Sequence, residues 1–109
     1  MPLFIITGSY TPAAMKGMIA KPSNRESATK ALVESSGGKL HSYYLTTGDN
    51  DFMMVVEAPN GTNLIAPLVV AGASGTVSNL KTVQAFTSAE FTAAQKKAGE
   101  VASRYKPAG

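Results

Sequence analysis

Cysteine is absent from this 109-residue chain, which excludes disulfides, thiolate catalysis and any cysteine-ligated metal site. There is a single histidine, His41. A multi-histidine metal centre is therefore excluded within one chain, and a Ser-His-Asp triad would have to be built around that one ring. Charge is scarce as well, with 16% charged against 44% hydrophobic residues. That balance favours a packed globule over disorder and leaves little charge for the surface of a free monomer, so a partner is expected to cover part of it. The net charge is +3, yet the ten Lys and Arg residues are scattered from Lys16 to Lys106. No dense basic stripe with interleaved aromatics exists, so nucleic acid is not an expected partner. No apolar run approaches the roughly 20 residues of a spanning helix, and Met1–Ile6 lacks the basic lead and length of a signal peptide. The chain is expected to be cytoplasmic, with no membrane partner.

What remains is an ordered series of short patterned segments that fits one domain over residues 1–109, with a core over about 3–91. Leu3–Tyr10 reads as a strand closed by Thr11-Pro12, the cap and first position of a helix carrying Met15, Met18 and Ile19. Lys21-Pro22 interrupts that helix, which predicts two short helices or one kinked one. Ser23 or Asn24 caps the next piece, whose expected buried face is Ala28, Ala31, Leu32 and Ser35, and Gly37-Gly38 ends it. Lys39–Thr46 and Asp51–Ala58 read as antiparallel strands joined by Thr47-Gly48-Asp49-Asn50. Leu64, Ile65, Leu68, Val69 and Gly72 mark a further helix, in which Pro67 predicts a late start or a kink. Thr76–Thr87 gives a fourth strand, and Ser88 is expected to cap a C-terminal helix over about 88–104 with Phe91, Ala94, Ala98 and Val101 on one face.

The order β-α-β-β-α-β is that of a ferredoxin-like α+β domain, a four-stranded antiparallel sheet with helices on one side. Phe52-Met53-Met54-Val55-Val56 and Leu3-Phe4-Ile5-Ile6 do not alternate with polar residues, so both faces of these strands are expected to be buried. A second copy's sheet, forming an isologous dimer, is the favoured cover; the C-terminal helix folded over that face is the rival.

The hairpin Leu40–Phe52, the run Val55-Val56-Glu57-Ala58-Pro59 and the late segment Ala85–Phe91 together resemble the GYD-domain family. Lys21-Pro22-Ser23-Asn24-Arg25, followed by Ala28 and Lys30, is similar to that family's first helix. The resemblance covers about Leu3 to Phe91 and implies a ferredoxin-like fold with association of the dimeric α/β-barrel type, without implying an activity. One departure is that Asn50 stands where the naming motif has a tyrosine before the aspartate.

The residues suggest three readings. In the first, a small-molecule ligand enters a pocket between sheet and helices or between subunits of a homo-oligomer. Tyr10, Tyr43 and Tyr44 with Met53 and Met54 are its candidate walls, and Lys21, Arg25 or His41 its polar anchors. In the second, a cofactor-free isomerase or monooxygenase uses His41 as general base. His41 is placed by alternation on the face of Tyr43 and Leu45, and Glu57 orients it if the hairpin sets them opposite. The third is an assembly protein with no pocket. The triplet Asp49-Asn50-Asp51 is read as a hairpin turn and not as a metal site, and no cofactor is expected.

Overall fold

The computed structural model describes residues 1–109. The bulky run Leu3–Tyr10 forms strand β1, and Thr11 ends it by capping helix α1, Pro12–Ala20. The Thr11 hydroxyl accepts the Ala14 N–H at 3.2 Å and donates to the Gly75 carbonyl at 2.8 Å, while Pro12 fills a first-turn position that needs no donor. The Lys21-Pro22 break yields two helices. α2, Arg25–Ser35, starts behind Asn24, whose side chain accepts the Ser27 N–H at 3.1 Å. Strands β2, Lys39–Leu45, and β3, Phe52–Glu57, pair as a hairpin closed by the Thr46 N–H on the Asp51 carbonyl at 2.8 Å. A 3-10 turn at Gly61–Leu64 leads into α3, Ile65–Ala73. Pro67 is thus the third residue of a late-starting helix, where no intrahelical N–H bond is lost. β4, Val77–Ala85, and α4, Ser88–Val101, complete the chain.

The four strands form one antiparallel sheet in the order β2-β3-β1-β4, the arrangement expected of the split βαβ unit. On the helix-side face, Phe4 and Ile6 of β1 and Phe52, Met54 and Val56 of β3 are buried with Val33 of α2 and with Leu64. Gly8 is required within this face. A Cβ there would stand 2.6 Å from Phe52 Cζ and 2.9 Å from Leu80 Cδ2, inside van der Waals contact.

Two irregularities set the phase of the outer strands. The β2–β3 register shifts between Leu40 and Ser42, and the β1–β4 register shifts between Thr7 and Ser9, beside Asn79 with φ of 54°. Asparagine is among the residues that tolerate this left-handed backbone. Leu40 and Tyr43, three apart, consequently share the helix side, as do Val77 and Leu80.

The structure corrects two local expectations and removes the rival cover of the sheet. The buried residue of α2 is Val33, with Leu32 half-buried and Ala28, Ala31 and Ser35 exposed, because the inward stripe runs through Arg25, Thr29, Val33 and Ser36, one residue out of phase with the expected one. Thr87, not Ser88, caps α4: its hydroxyl accepts the Glu90 N–H at 3.1 Å and the Glu90 carboxylate accepts its N–H at 2.8 Å, a reciprocal capping box. α4 does not fold over the sheet. Every residue from Phe86 to Gly109 is exposed, and the helix adds to a molecule 61 Å in its longest dimension. The face opposite the helices, finally, is uncovered within the chain. Leu3, Ile5, Met53 and Val55 are only half-buried there by their neighbours in the sheet, and Tyr44 and Val83 are 62% and 59% exposed.

Candidate functional site

β3 lies between β1 and β2, so Phe52 at its start stands between Tyr10 and Tyr43. The Phe52 ring centroid is 5.2 Å from that of Tyr10 and 6.2 Å from that of Tyr43, nearly parallel to the latter. Across this ring the Tyr10 and Tyr43 hydroxyls hydrogen-bond to each other. Burial first, and then that hydrogen bond, hold the Tyr43 phenol well above its ordinary titration range, against the pull of the Arg25 guanidinium. A phenol so held stays neutral at physiological pH and serves as a hydrogen-bonding group, not as a base.

The backbone around these tyrosines is pinned. The Tyr10 N–H donates to Asp51 Oδ2 at 2.8 Å, and the Asp51 N–H to the Gly8 carbonyl at 2.8 Å. Asp51 thus ties the hairpin to the end of β1. Arg25 opens α2, and its Nη1 donates to the Ser23 hydroxyl at 3.3 Å. Lys21 ends α1 as its C-cap residue.

Above this aromatic floor the three helices stand apart and leave a cavity of about 710 Å³, within the range of small-molecule sites. Met18 of α1, Leu32 of α2, Leu68 of α3 and Met54 of β3 contribute to its apolar walls, and Tyr10, Tyr43, Lys21 and Arg25 line it as well. A more open depression of about 580 Å³ adjoins it, shares Tyr10, Arg25 and Tyr43, and adds Glu26 and Asp51.

The structure therefore brings together five of the residues singled out in the sequence, Tyr10, Lys21, Arg25, Tyr43 and Met54. It places His41, Tyr44, Met53 and Glu57 elsewhere. His41 sits at the β2 irregularity, so it does not share a face with Tyr43 as strict alternation implies; its Nε2 lies 3.3 Å from Glu57 Oε2. Glu57 follows the helix-facing Val56 and so points to the open face, where its Oε1 is 3.8 Å from the N-terminal ammonium. Tyr44 pairs with Met53 on that same open face. His41 lines neither cavity, whereas a His41-based isomerase scheme requires the imidazole to face one.

A family model described as the GYD domain matches residues 4–94. The chain belongs to the GYD-domain family. No curated protein matches its sequence. Among solved structures, this GYD domain is similar to MtbAldR, at 15% identity and a TM-score of 0.53 over 79% of this chain and 52% of that one. It is similar also to a transcriptional regulator from Neisseria meningitidis solved as an L-Met complex, at 12% identity and a TM-score of 0.51 over 80% of this chain and 51% of that one. The GYD chain thus spans about half the length of each of these two proteins. A Thermus thermophilus protein aligns at 16% identity and a TM-score of 0.49 over 81% of this chain and 96% of that one. At such identities the likeness to the first two shows the fold alone, a ferredoxin-like α+β sheet and helices. No helix of the GYD domain is long and apolar enough to cross a membrane. Where the naming motif carries tyrosine, the Asn50 side-chain oxygen is buried without a hydrogen-bond partner.

Phe52 and Thr29 are among the residues of the site not singled out in the sequence as site residues. Phe52 reads there only as part of an apolar strand. Thr29 lines the cavity beside Tyr43, and its signal is its position four residues after Arg25, which places both on one side of α2.

Proposed function

We propose that this GYD domain binds a small molecule in the cavity between its sheet and its three covering helices, and that it does so as a homo-oligomer. The observation that carries the first part is the cavity itself, an apolar space of about 710 Å³ on which two tyrosine hydroxyls and an arginine converge. A few polar groups fixed in an otherwise apolar concavity are the usual composition of a ligand site. The similar Neisseria regulator, solved with L-Met, supports the reading by showing a like fold in a protein that takes a small ligand.

The second part rests on the uncovered sheet face. Val55, Ile5 and Val83 form one cross-strand row on it, and a second copy's row would cover both faces at once. Light scattering of the purified chain is expected to give a dimer or larger species.

Ligand binding is tested by thermal shift and native mass spectrometry against a metabolite panel, since a ligand selective for the folded state raises its melting temperature. At least one compound is expected to bind, and Ala14→Phe, which fills the cavity from α1, is expected to abolish its shift. A panel with no binder, or a shift that survives the filled cavity, removes the reading.

A further inference from the structure

The charged residues lining the main cavity are two, Lys21 and Arg25, and both are cations; no aspartate or glutamate lines it. Neither cation has a counter-ion within the chain. The ion pairs of the molecule lie elsewhere, Glu57 with Met1 and with His41, and Lys97 with Glu100. The one side-chain hydrogen bond of Arg25 is to the neutral Ser23 hydroxyl, so most of its five N–H donors have no protein acceptor. The tyrosine pair adds to the same imbalance. Two hydroxyls share one mutual hydrogen bond, which leaves one O–H to donate. The cavity thus offers positive charge and hydrogen-bond donors with no carboxylate in its lining to match them.

The remaining lining points to the rest of the ligand. Seventeen of the 26 lining residues are hydrophobic, so a body without polar groups fits most of the space. The depression beyond Arg25 and the tyrosines bears the carboxylates of Glu26 and Asp51. Charge in excess of one unit on the ligand head would meet repulsion on that side.

We infer that the ligand is an amphipathic carboxylic acid, with an aliphatic or aromatic body on the apolar walls and one carboxylate held by Arg25, Lys21 and the Tyr10–Tyr43 pair. The inference rests on the small-molecule reading above and narrows it to a chemical class. The planar fork of Arg25 matches a carboxylate through two parallel hydrogen bonds. The spare tyrosine proton supplies a third. The Tyr43 phenol keeps its proton where the acid is ionised.

The test is isothermal titration of the full-length chain at neutral pH with octanoate and 4-phenylbutyrate, each beside its primary amide, and with octyl phosphate. Each acid is expected to bind about ten- to a hundredfold more tightly than its amide, the range given by hydrogen bonds to a charged group. Arg25→Gln is expected to bring the acid-to-amide ratio close to one. Lys21→Gln and added salt are expected to narrow the ratio without altering α2. Equal affinities of acid and amide in the unmodified chain overturn the assignment of an acid and leave the cavity reading standing. Tighter binding of octyl phosphate than octanoate overturns the choice of a singly charged head. Binding of none of the five compounds overturns the assignment, and if the metabolite panel is also without a binder, the cavity reading falls with it.

Discussion

The two faces of this sheet are built from adjacent residues of the same strands, and they end in different environments. On the helix side Phe4, Ile6, Phe52, Met54 and Val56 are buried. On the other side Ile5, Met53 and Val55 alternate with them, equally apolar, and are screened only by their own neighbours. A strand's composition therefore reports that both of its faces are apolar. It does not report who covers each one, since that depends on connections that reach only one side.

The largest expected effect lies on the helix side. Phe52→Ala removes the ring between the two tyrosines and is expected to cost about 3–5 kcal/mol in urea unfolding. A cost below about 1 kcal/mol would show that this face is as loosely held as the other. Gly8→Ala places a methyl group against Phe52 and Leu80 and is expected to cost about 1–3 kcal/mol by overpacking. The open face sharpens the contrast differently. Val83→Lys is expected to change the stability of an isolated protomer by under about 0.5 kcal/mol, yet to convert an oligomer to monomer in light scattering. An unchanged mass would mean that the face is not where copies meet.

Smaller still is a pH effect. Burial and the Tyr10 bond raise the Tyr43 titration in the folded chain, so the folded state holds that proton more tightly than the unfolded one. The stabilisation is present below about pH 10, the ordinary tyrosine value, and is lost as pH rises beyond it. Tyr43→Phe is expected to flatten this alkaline loss in unfolding curves taken between pH 8 and 11. His41→Gln on the open face, where the ring and Glu57 are both partly solvated, is expected to shift stability by no more than about 1 kcal/mol.

Much of the fold was legible because its local signals agree with one another. Thr11-Pro12, Lys21-Pro22, Gly37-Gly38 and the late helix start imposed by Pro67 each act over a few residues, and each falls where the structure turns. The site was half legible. Tyr10, Lys21, Arg25 and Tyr43 converge, and alternation alone sets Tyr44 on the face opposite Tyr43, but His41 could not be separated from Tyr43 in that way, because a single irregularity changes the phase of β2. The spacing of Val77 and Leu80, three apart and on one side, hides the same effect in β4. Helix faces were read least well. The expected stripe of α2 is one residue out of phase: Arg25, Thr29, Val33 and Ser36 are among the screened positions, and Ala28, Ala31 and Ser35 lie beside them, exposed.

The irregularity at His41 has a consequence for how this protein can be edited. Leu40 faces Val56 and Ser42 faces Val55, so His41 is the one residue between them with no partner on β3. Excising it would restore an uninterrupted ladder while Leu40 and Tyr43 kept the sides they now occupy. The histidine is in effect a spare letter in the strand: its imidazole and its pairing with Glu57 can be deleted outright, with both tyrosine hydroxyls left in place.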